Sequence, residues 1–309
     1  MNGSEMSSGV TIAVDGLTRR FGELTAVDAV SFTVPAGQMT GFVGGNGAGK
    51  TTTMRMIMGV LGIHSGDVRW NDRPITTADR RRIGYMPEER GLYPSQPVLD
   101  QLIYLGQLKG MSARSAKAVA TDYLERLGLG ERTGDKVEKL SLGNQQRVQI
   151  VAALISEPAA LVLDEPFSGL DPSAVDAMVD LLREKTAKGV PVLFSSHQLD
   201  LVERLCDQLV IMASGQVRAQ GSVAGLRSGT TTRHRLVLGG DAGWVRELPG
   251  VHAVDVDGHR ALLELTDASD DARRETISRL LTEGGHRGGV EEFHQVVPSL
   301  AEIYREVTA

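Results

Sequence analysis

The chain has 309 residues, of which 41% are apolar and 23% charged, with one cysteine and a formal net charge of −6. That length suggests about two domains with a sizeable core, and the acidic balance without a basic run speaks against a nucleic-acid partner. A lone cysteine, Cys206, excludes an intrachain disulfide and fits a reducing compartment, with the thiol read as a small apolar core group.

The opening "MNGSEMSSGV" has neither a positive flank nor an apolar centre, so residues 1–9 read as a short disordered tail and not as a signal peptide. No uninterrupted apolar run approaches the ~20 residues that span a bilayer, so a membrane role would have to come through a partner. From residue 10 to 227 short β-rich runs alternate with helical patterns, which marks a layered α/β domain. Strands are predicted at 11–14, 30–34, 39–43, 161–163, 192–195 and 209–212. The run 98–127 is helical with no strand inside it, and a helical insertion is expected at about 95–155. After "MASGQVRAQGS", read as strand–turn–strand, composition turns polar at "LRSGTTTRHR", where a boundary is placed. The remainder, 228–309, is expected to form a small α+β domain of ferredoxin-like order βαββαβ followed by a last helix. Its predicted elements are strands at 234–238, 251–256, 261–265 and 290–297 and helices at 242–248 and 271–283.

In "MTGFVGGNGAGKTTTMRMIMGVL" a strand, a glycine-rich turn and a helix follow one another, and Gly44, Gly49, Lys50 and Thr51 fit the pattern G-x-x-x-x-G-K-[ST]. Gly44, Gly45, Gly47 and Gly49 allow positive backbone torsions, so consecutive N–H groups can turn towards one anion. The helix that starts at Lys50 adds its positive end. Lys50 supplies charge to the outer phosphates and Thr51 a hydroxyl for Mg²⁺, while Met54, Ile57, Met58 and Leu61 recur at helical spacing against the sheet. A glycine-rich turn without ligand is the competing reading, and the flanking strand and helix weigh against it.

The run "AALVLDEPFSGLDP" is an apolar strand ending in two carboxylates. Asp164 is placed to hold Mg²⁺ at the carboxyl edge of the sheet, and Glu165 to orient or deprotonate water. "VLFSSHQLD" ends a second apolar strand near His197, read as a hydrogen-bond donor to a terminal phosphate.

Together these pieces and "EKLSLGNQQRVQIVAALI" resemble the nucleotide-binding subunit of ATP-binding cassette (ABC) transporters over residues 10–226. The resemblance implies a P-loop ATPase that binds ATP with Mg²⁺ and dimerises head to tail. Asn46, Ala48 and Thr52 join Gly44, Gly47, Gly49, Lys50 and Thr51 as ATP ligands, and Phe21 stacks on adenine. Ser141 and Gly143 reach the phosphate held by the other subunit, and Asp171 links the two sites. Two motifs depart from the family: in the first, Leu142 and Asn144 stand where it usually has glycine and glutamine, and in the second Glu88 stands where it usually has glutamine. Glu88 still offers Mg²⁺ an oxygen, now with a full negative charge.

With the appended C-terminal domain, the chain is similar to ATP-binding subunits of sodium-export and drug-resistance exporters. Implied partners are an integral-membrane permease and a second cassette subunit, an identical copy or a different one. The implied place is cytoplasmic, on the inner face of the membrane through the permease. The alternatives are a non-transport ABC ATPase acting on nucleic acid or ribosomes, and a regulatory nucleotide-binding module without turnover.

Overall fold

The computed structural model describes residues 9–89, 91–228, 232–267, 269–296 and 299–308. The expected tail before Gly9, positions 229–231 of the polar stretch and position 297 of the last expected strand lie outside them. Two compact units are present, one built on the chain up to Val223 with the final residues from Val307, the other on Ala224–Glu306.

In the first unit β1 (Ile12–Phe21) and β2 (Leu24–Val34) form a hairpin, and β3 (Met39–Gly44) leads through the glycine-rich turn into α1 (Lys50–Ile57). Next come β4 (Ser65–Trp70), β5 (Arg73–Pro74), α2 (Thr77–Arg81) and β6 (Ile83–Met86), then the helices α3 (Val98–Leu108), α4 (Ala113–Arg126) and α5 (Leu142–Leu154). The alternation resumes with β7 (Ala160–Leu163), α6 (Pro172–Ala187), β8 (Val192–Ser196), α7 (Leu199–Leu205) and the hairpin β9 (Gln208–Ala213) and β10 (Gln216–Ser222), after which α8 (Val223–Ser228) begins the second unit.

Two sheets result. The antiparallel one has the order β2-β1-β4-β5, and the other the order β10-β9-β3-β8-β7-β6, parallel except for β10. Strands β3, β7 and β8 are buried at every residue, as expected of parallel strands covered on both faces. Ile12, Leu17, Val27, Val30 and Phe32 of the antiparallel sheet share one core with Phe42, Val162 and Leu193 of the parallel sheet and with Met54, Met56 and Ile57 of α1.

Each predicted strand of this unit is present, and β4, β5 and β6 are additional. Helix α1 stops at Ile57, short of the periodicity that runs on to Leu61, because Gly59 takes the left-handed conformation (φ 71°) just past the Met58 cap. Met58 and Leu61 still pack against the core from the turn that follows.

The second unit holds β11 (Arg233–Leu238), β12 (Val251–Asp257), β13 (Arg260–Leu265), α9 (Asp270–His286) and β14 (Val290–Val296) in an antiparallel sheet of order β12-β13-β11-β14. That is the ferredoxin-like arrangement, with Leu236, Leu238, Ala261 and Leu263 packed with Leu280 of α9. Its expected first helix is only a short 3₁₀ segment, Gly243–Glu247. Leu248 precedes Pro249 and is extended (ψ 121°), which ends the turn before a second helical turn can form. α10 (Leu300–Thr308) closes the chain, with Leu300 and Ile303 buried.

Candidate functional site

Strands β3, β8 and β7 lie side by side in register, Val43 opposite Ser196 and Leu163 opposite Phe194, so the segments leaving their carboxyl ends emerge together. After β3, positive torsions are confined to Gly47 (φ 77°) and Gly49 (φ 101°); Gly44 and Gly45 do not adopt the conformation expected of them. Gly44 is needed for space, since a Cβ there would lie 2.6 Å from the Met212 carbonyl oxygen. The buried Lys50 donates from Nζ to the Gly44 (2.7 Å) and Gly45 (3.2 Å) carbonyl oxygens. A cleft of about 450 Å³ is lined by residues 46–52, by Phe21, Leu24 and Ala26, and by Glu88, Asp164 and Glu165. Phe21 is half exposed there, with the Arg19 guanidinium 4.8 Å from its ring centre.

Asp164 follows β7 and is buried, and its Oδ1 accepts a 2.6 Å hydrogen bond from the Ser195 hydroxyl. Its Oδ2 is buried with no hydrogen-bond partner among the described residues, an arrangement that suits a metal ion. Across the cleft the Thr51 hydroxyl donates to Glu88 Oε2 at 3.3 Å. These three oxygen donors match the hard-oxygen preference of Mg²⁺, which uses one or two carboxylates and keeps waters.

Glu165 takes a left-handed conformation (φ 50°), and its N–H donates to Ser195 Oγ at 2.8 Å. The Glu165 side chain lies against His197, whose Nδ1 is 2.9 Å from Glu165 Oε2. Burial raises the Glu165 pKa above the ordinary carboxylate value, and the His197 charge and hydrogen bond oppose the rise only in part. A carboxylate so tuned is a better proton acceptor near neutral pH.

Ser141 and Gly143 are not among the residues lining that cleft. Ser141 caps α5, its exposed hydroxyl accepting from the Asn144 N–H at 3.3 Å. Gly143 packs on the "SGLDP" loop, where a Cβ would come within 2.8 Å of the Gly169 carbonyl oxygen. Leu142 between them is 61% exposed. Asp171 caps α6, accepting from Ala174 N–H (2.9 Å) and the Ser173 hydroxyl (2.6 Å), and hydrogen bonds led by that of Ser173 lower its pKa.

Several residues outside the expected set organise these groups. Ser195 is one. Arg147 of α5 is another, bonded to Asp171 Oδ2 (2.7 Å) and to the Leu127 carbonyl (3.2 Å) at the end of α4. Gln146 donates to the Glu165 (2.8 Å) and Pro166 (3.1 Å) carbonyls, and Gln149 to that of Pro87 (2.7 Å). The one available signal was their place, polar side chains on the inner face of a helix behind Ser141.

A family model described as ABC transporter matches residues 27–168, and one described as ATP-binding protein DrrA1-3-like, C-terminal domain matches residues 221–308. The Bacillus subtilis ABC transporter ATP-binding protein YhaQ is 38% identical over 300 residues, 96% of this chain and 97% of that protein. The chain belongs to the ABC transporter ATP-binding proteins. This ABC protein is also 31% identical to the linearmycin resistance ATP-binding protein LnrL of Bacillus subtilis over 96% of its own length and 98% of the relative's. A Nod factor export ATP-binding protein I of Burkholderia lata is 38% identical over 66% of the chain and 68% of that protein. A solved structure described as an ATP binding subunit of an ABC transporter superposes with a TM-score of 0.65 at 32% identity, covering 70% of this chain and 92% of its own. The ABC protein is therefore an ATP-binding, ATP-hydrolysing transport subunit. The relatives named here are transport proteins, so the nucleic-acid and ribosome reading has no support. Among the described residues no helix is long and apolar enough to cross a membrane.

Proposed function

We propose that this ABC protein powers export through a separate integral-membrane permease, as one of two cassette subunits that close head to tail on ATP. Residues 10–227 act as the motor and 228–309 as an accessory domain, at the cytoplasmic face of the membrane. An identical copy suffices as the second subunit, since one chain carries both the P-loop and the Ser141 segment. The observation that carries the reading is the convergence of the P-loop, Asp164 with its free oxygen and the Glu165–His197 pair on one cleft, while Ser141 caps a helix outside it.

In this scheme the N–H groups of residues 46–52 and Lys50 hold the phosphates, and Phe21 offers an aromatic face to the base. Mg²⁺, when bound by Thr51, Asp164 and Glu88, supplies charge neutralisation at the outer phosphates. Glu165 orients and deprotonates the attacking water, and His197 fixes that carboxylate while donating towards the terminal phosphate. Ser141 and the Gly143 N–H, at a helix start, complete the site of the other subunit, and Asp171 joins the two sites. Loss of the terminal phosphate removes the contact that both subunits share, so the pair opens.

The loop bearing Glu88 borders an apolar groove of about 400 Å³ lined by Tyr85, Pro87 and Leu92 and by Leu105 and Leu108 of α3. A cytoplasmic segment of the permease seated there would sense the Glu88 loop directly. Glu165→Gln tests the central step. Turnover should fall by about 10²-fold or more, since proton acceptance is lost. Light scattering on a sizing column should show that variant as a dimer with Mg-ATP; a monomer at saturating Mg-ATP would overturn the two-subunit site.

A further inference from the structure

Asn46 and Gly47 are the two central residues of a turn that the Ala48 N–H closes on the Gly45 carbonyl at 3.2 Å. Both are exposed, and among the described residues neither the Asn46 side chain nor the Gly47 N–H makes a hydrogen bond. Gly47 is left-handed (φ 77°), and a Cβ built on it meets nothing within 4 Å. The other described asparagines are placed differently. Asn71 accepts the Thr11 N–H on Oδ1 at 2.8 Å and precedes Asp72, while Asn144 lies inside α5 and precedes Gln145.

Asparagine is a thermolabile residue, and its commonest reaction is with its own backbone. The Gly47 nitrogen gives up its proton to a base in solvent and bonds to Asn46 Cγ. The Cγ–Nδ2 bond breaks, ammonia leaves with a proton from solvent, and a succinimide ring remains. Water then opens the ring. Attack at Cγ gives aspartate; attack at the backbone carbonyl gives isoaspartate, with an extra methylene in the main chain. No oxidant or reductant is needed, and water is the one co-reactant. Two features favour the step here. A glycine puts no Cβ beside the attacking nitrogen. The positive end of α1, which starts three residues on at Lys50, favours the negative nitrogen that forms first.

We propose that Asn46 is a site of spontaneous succinimide formation and deamidation, and that nucleotide in the cleft suppresses it. The second clause rests on reading residues 46–52 as the phosphate cradle. A phosphate bound there engages the N–H groups that cyclisation needs free. Either product places a carboxylate in the cradle, and isoaspartate also shifts the N–H groups along the chain. A chain left without ATP therefore loses its grip on ATP, while a loaded chain is protected.

The full chain is incubated without nucleotide in heavy-oxygen water, and its peptides are followed by mass spectrometry. Conversion at position 46, with uptake of heavy oxygen, should outrun that at Asn71 and Asn144 by at least about tenfold and rise with pH. Gly47→Ala should slow it by at least about tenfold, with an unchanged circular dichroism spectrum. A non-hydrolysable ATP analogue with Mg²⁺, at about 10–100 times its Kd, should slow it by about 10–100-fold, following the fraction of chain left free. Asn2–Gly3, the other such pair in the sequence, should convert equally with and without the analogue. Binding of a fluorescent ATP analogue by the wild-type chain should fall in step with conversion, whereas Asn46→Ser keeps its starting affinity. Conversion at position 46 no faster than at Asn71, an equal rate in Gly47→Ala, or no slowing by an analogue that binds would each overturn the proposal. The two readings fail separately. A chain that binds the analogue and does not convert at position 46 keeps the nucleotide reading and loses the proposal. One that converts there but never binds the analogue keeps the cyclisation and loses the nucleotide reading.

Discussion

Ser195 is buried, fully enclosed behind the two carboxylates, and serves both: its hydroxyl donates to Asp164 Oδ1 at 2.6 Å and accepts the Glu165 N–H at 2.8 Å. Ser195→Ala removes a hydrogen bond to a charged acceptor, which is worth about 1.5–3 kcal/mol, and orphans a backbone N–H at a further ~1 kcal/mol. The expected loss is about 2.5–4 kcal/mol of stability, read from the urea midpoint of the nucleotide-free chain. The same change frees the left-handed turn at Glu165, so turnover of ATP should fall by about tenfold or more through misplacement of the carboxylate. Binding of an ATP analogue to the P-loop should be far less affected. In an Asp164→Asn background the serine should matter less, with a coupling of about 0.5–3 kcal/mol between the two positions. A Ser195→Ala chain within ~0.5 kcal/mol of wild type, which is the range of an inconsequential surface change, would refute the reasoning.

The two left-handed glycines of the P-loop should separate cleanly. Gly49→Ala forces a Cβ to 2.7 Å from the Ala26 carbonyl oxygen on top of an adverse torsion, whereas a Cβ on Gly47 meets nothing within 4 Å and faces the torsional penalty alone. Nucleotide binding measured by fluorescence should therefore be lost in Gly49→Ala and only weakened in Gly47→Ala, with about 1–3 kcal/mol of strain in the latter; equal tolerance would contradict the geometry. Glu165 gives a pH test. Burial raises its folded-state pKa above that of the unfolded chain, so its contribution to stability is present at acidic pH and is lost as pH rises through the folded value. Glu165→Gln does not titrate, so its stability relative to wild type should increase between pH 4 and pH 7.5 in urea titrations without nucleotide, about the span over which such a carboxylate ionises. A flat or falling difference would show that the carboxylate is not desolvated.

Much of this was legible in the sequence because the decisive signals are local. The P-loop is fixed by glycines within eight positions of Gly44, and the ferredoxin-like unit by alternation and helix spacing in each short segment. Strands β4 and β6 carry no such signal. In β4 only Val68 and Trp70 face inward, between the charged Asp67 and Arg69, too few residues to establish a period. β6 is four residues long, three of them buried, so it carries no alternation to read. The pairing of His197 with Glu165, 32 residues apart, depends on β7 and β8 being parallel neighbours in register, a fact of topology. Ser195 is legible only once that register is known. The same holds for Arg147, which meets Asp171 and the end of α4 through helix packing and not through spacing.

The central claim, that two chains share each nucleotide, is tested most directly by crosslinking between copies. Asn46 in the P-loop and Leu142 beside Ser141 are both exposed, so Asn46→Cys and Leu142→Cys can be made in separate Glu165→Gln populations. Native Cys206 should not compete, because burial pushes its thiol pKa far up and leaves little thiolate. Mixing the two populations with Mg-ATP and a short bifunctional thiol reagent should yield a product of twice the chain mass, absent without ATP. Its absence at saturating Mg-ATP would contradict the account.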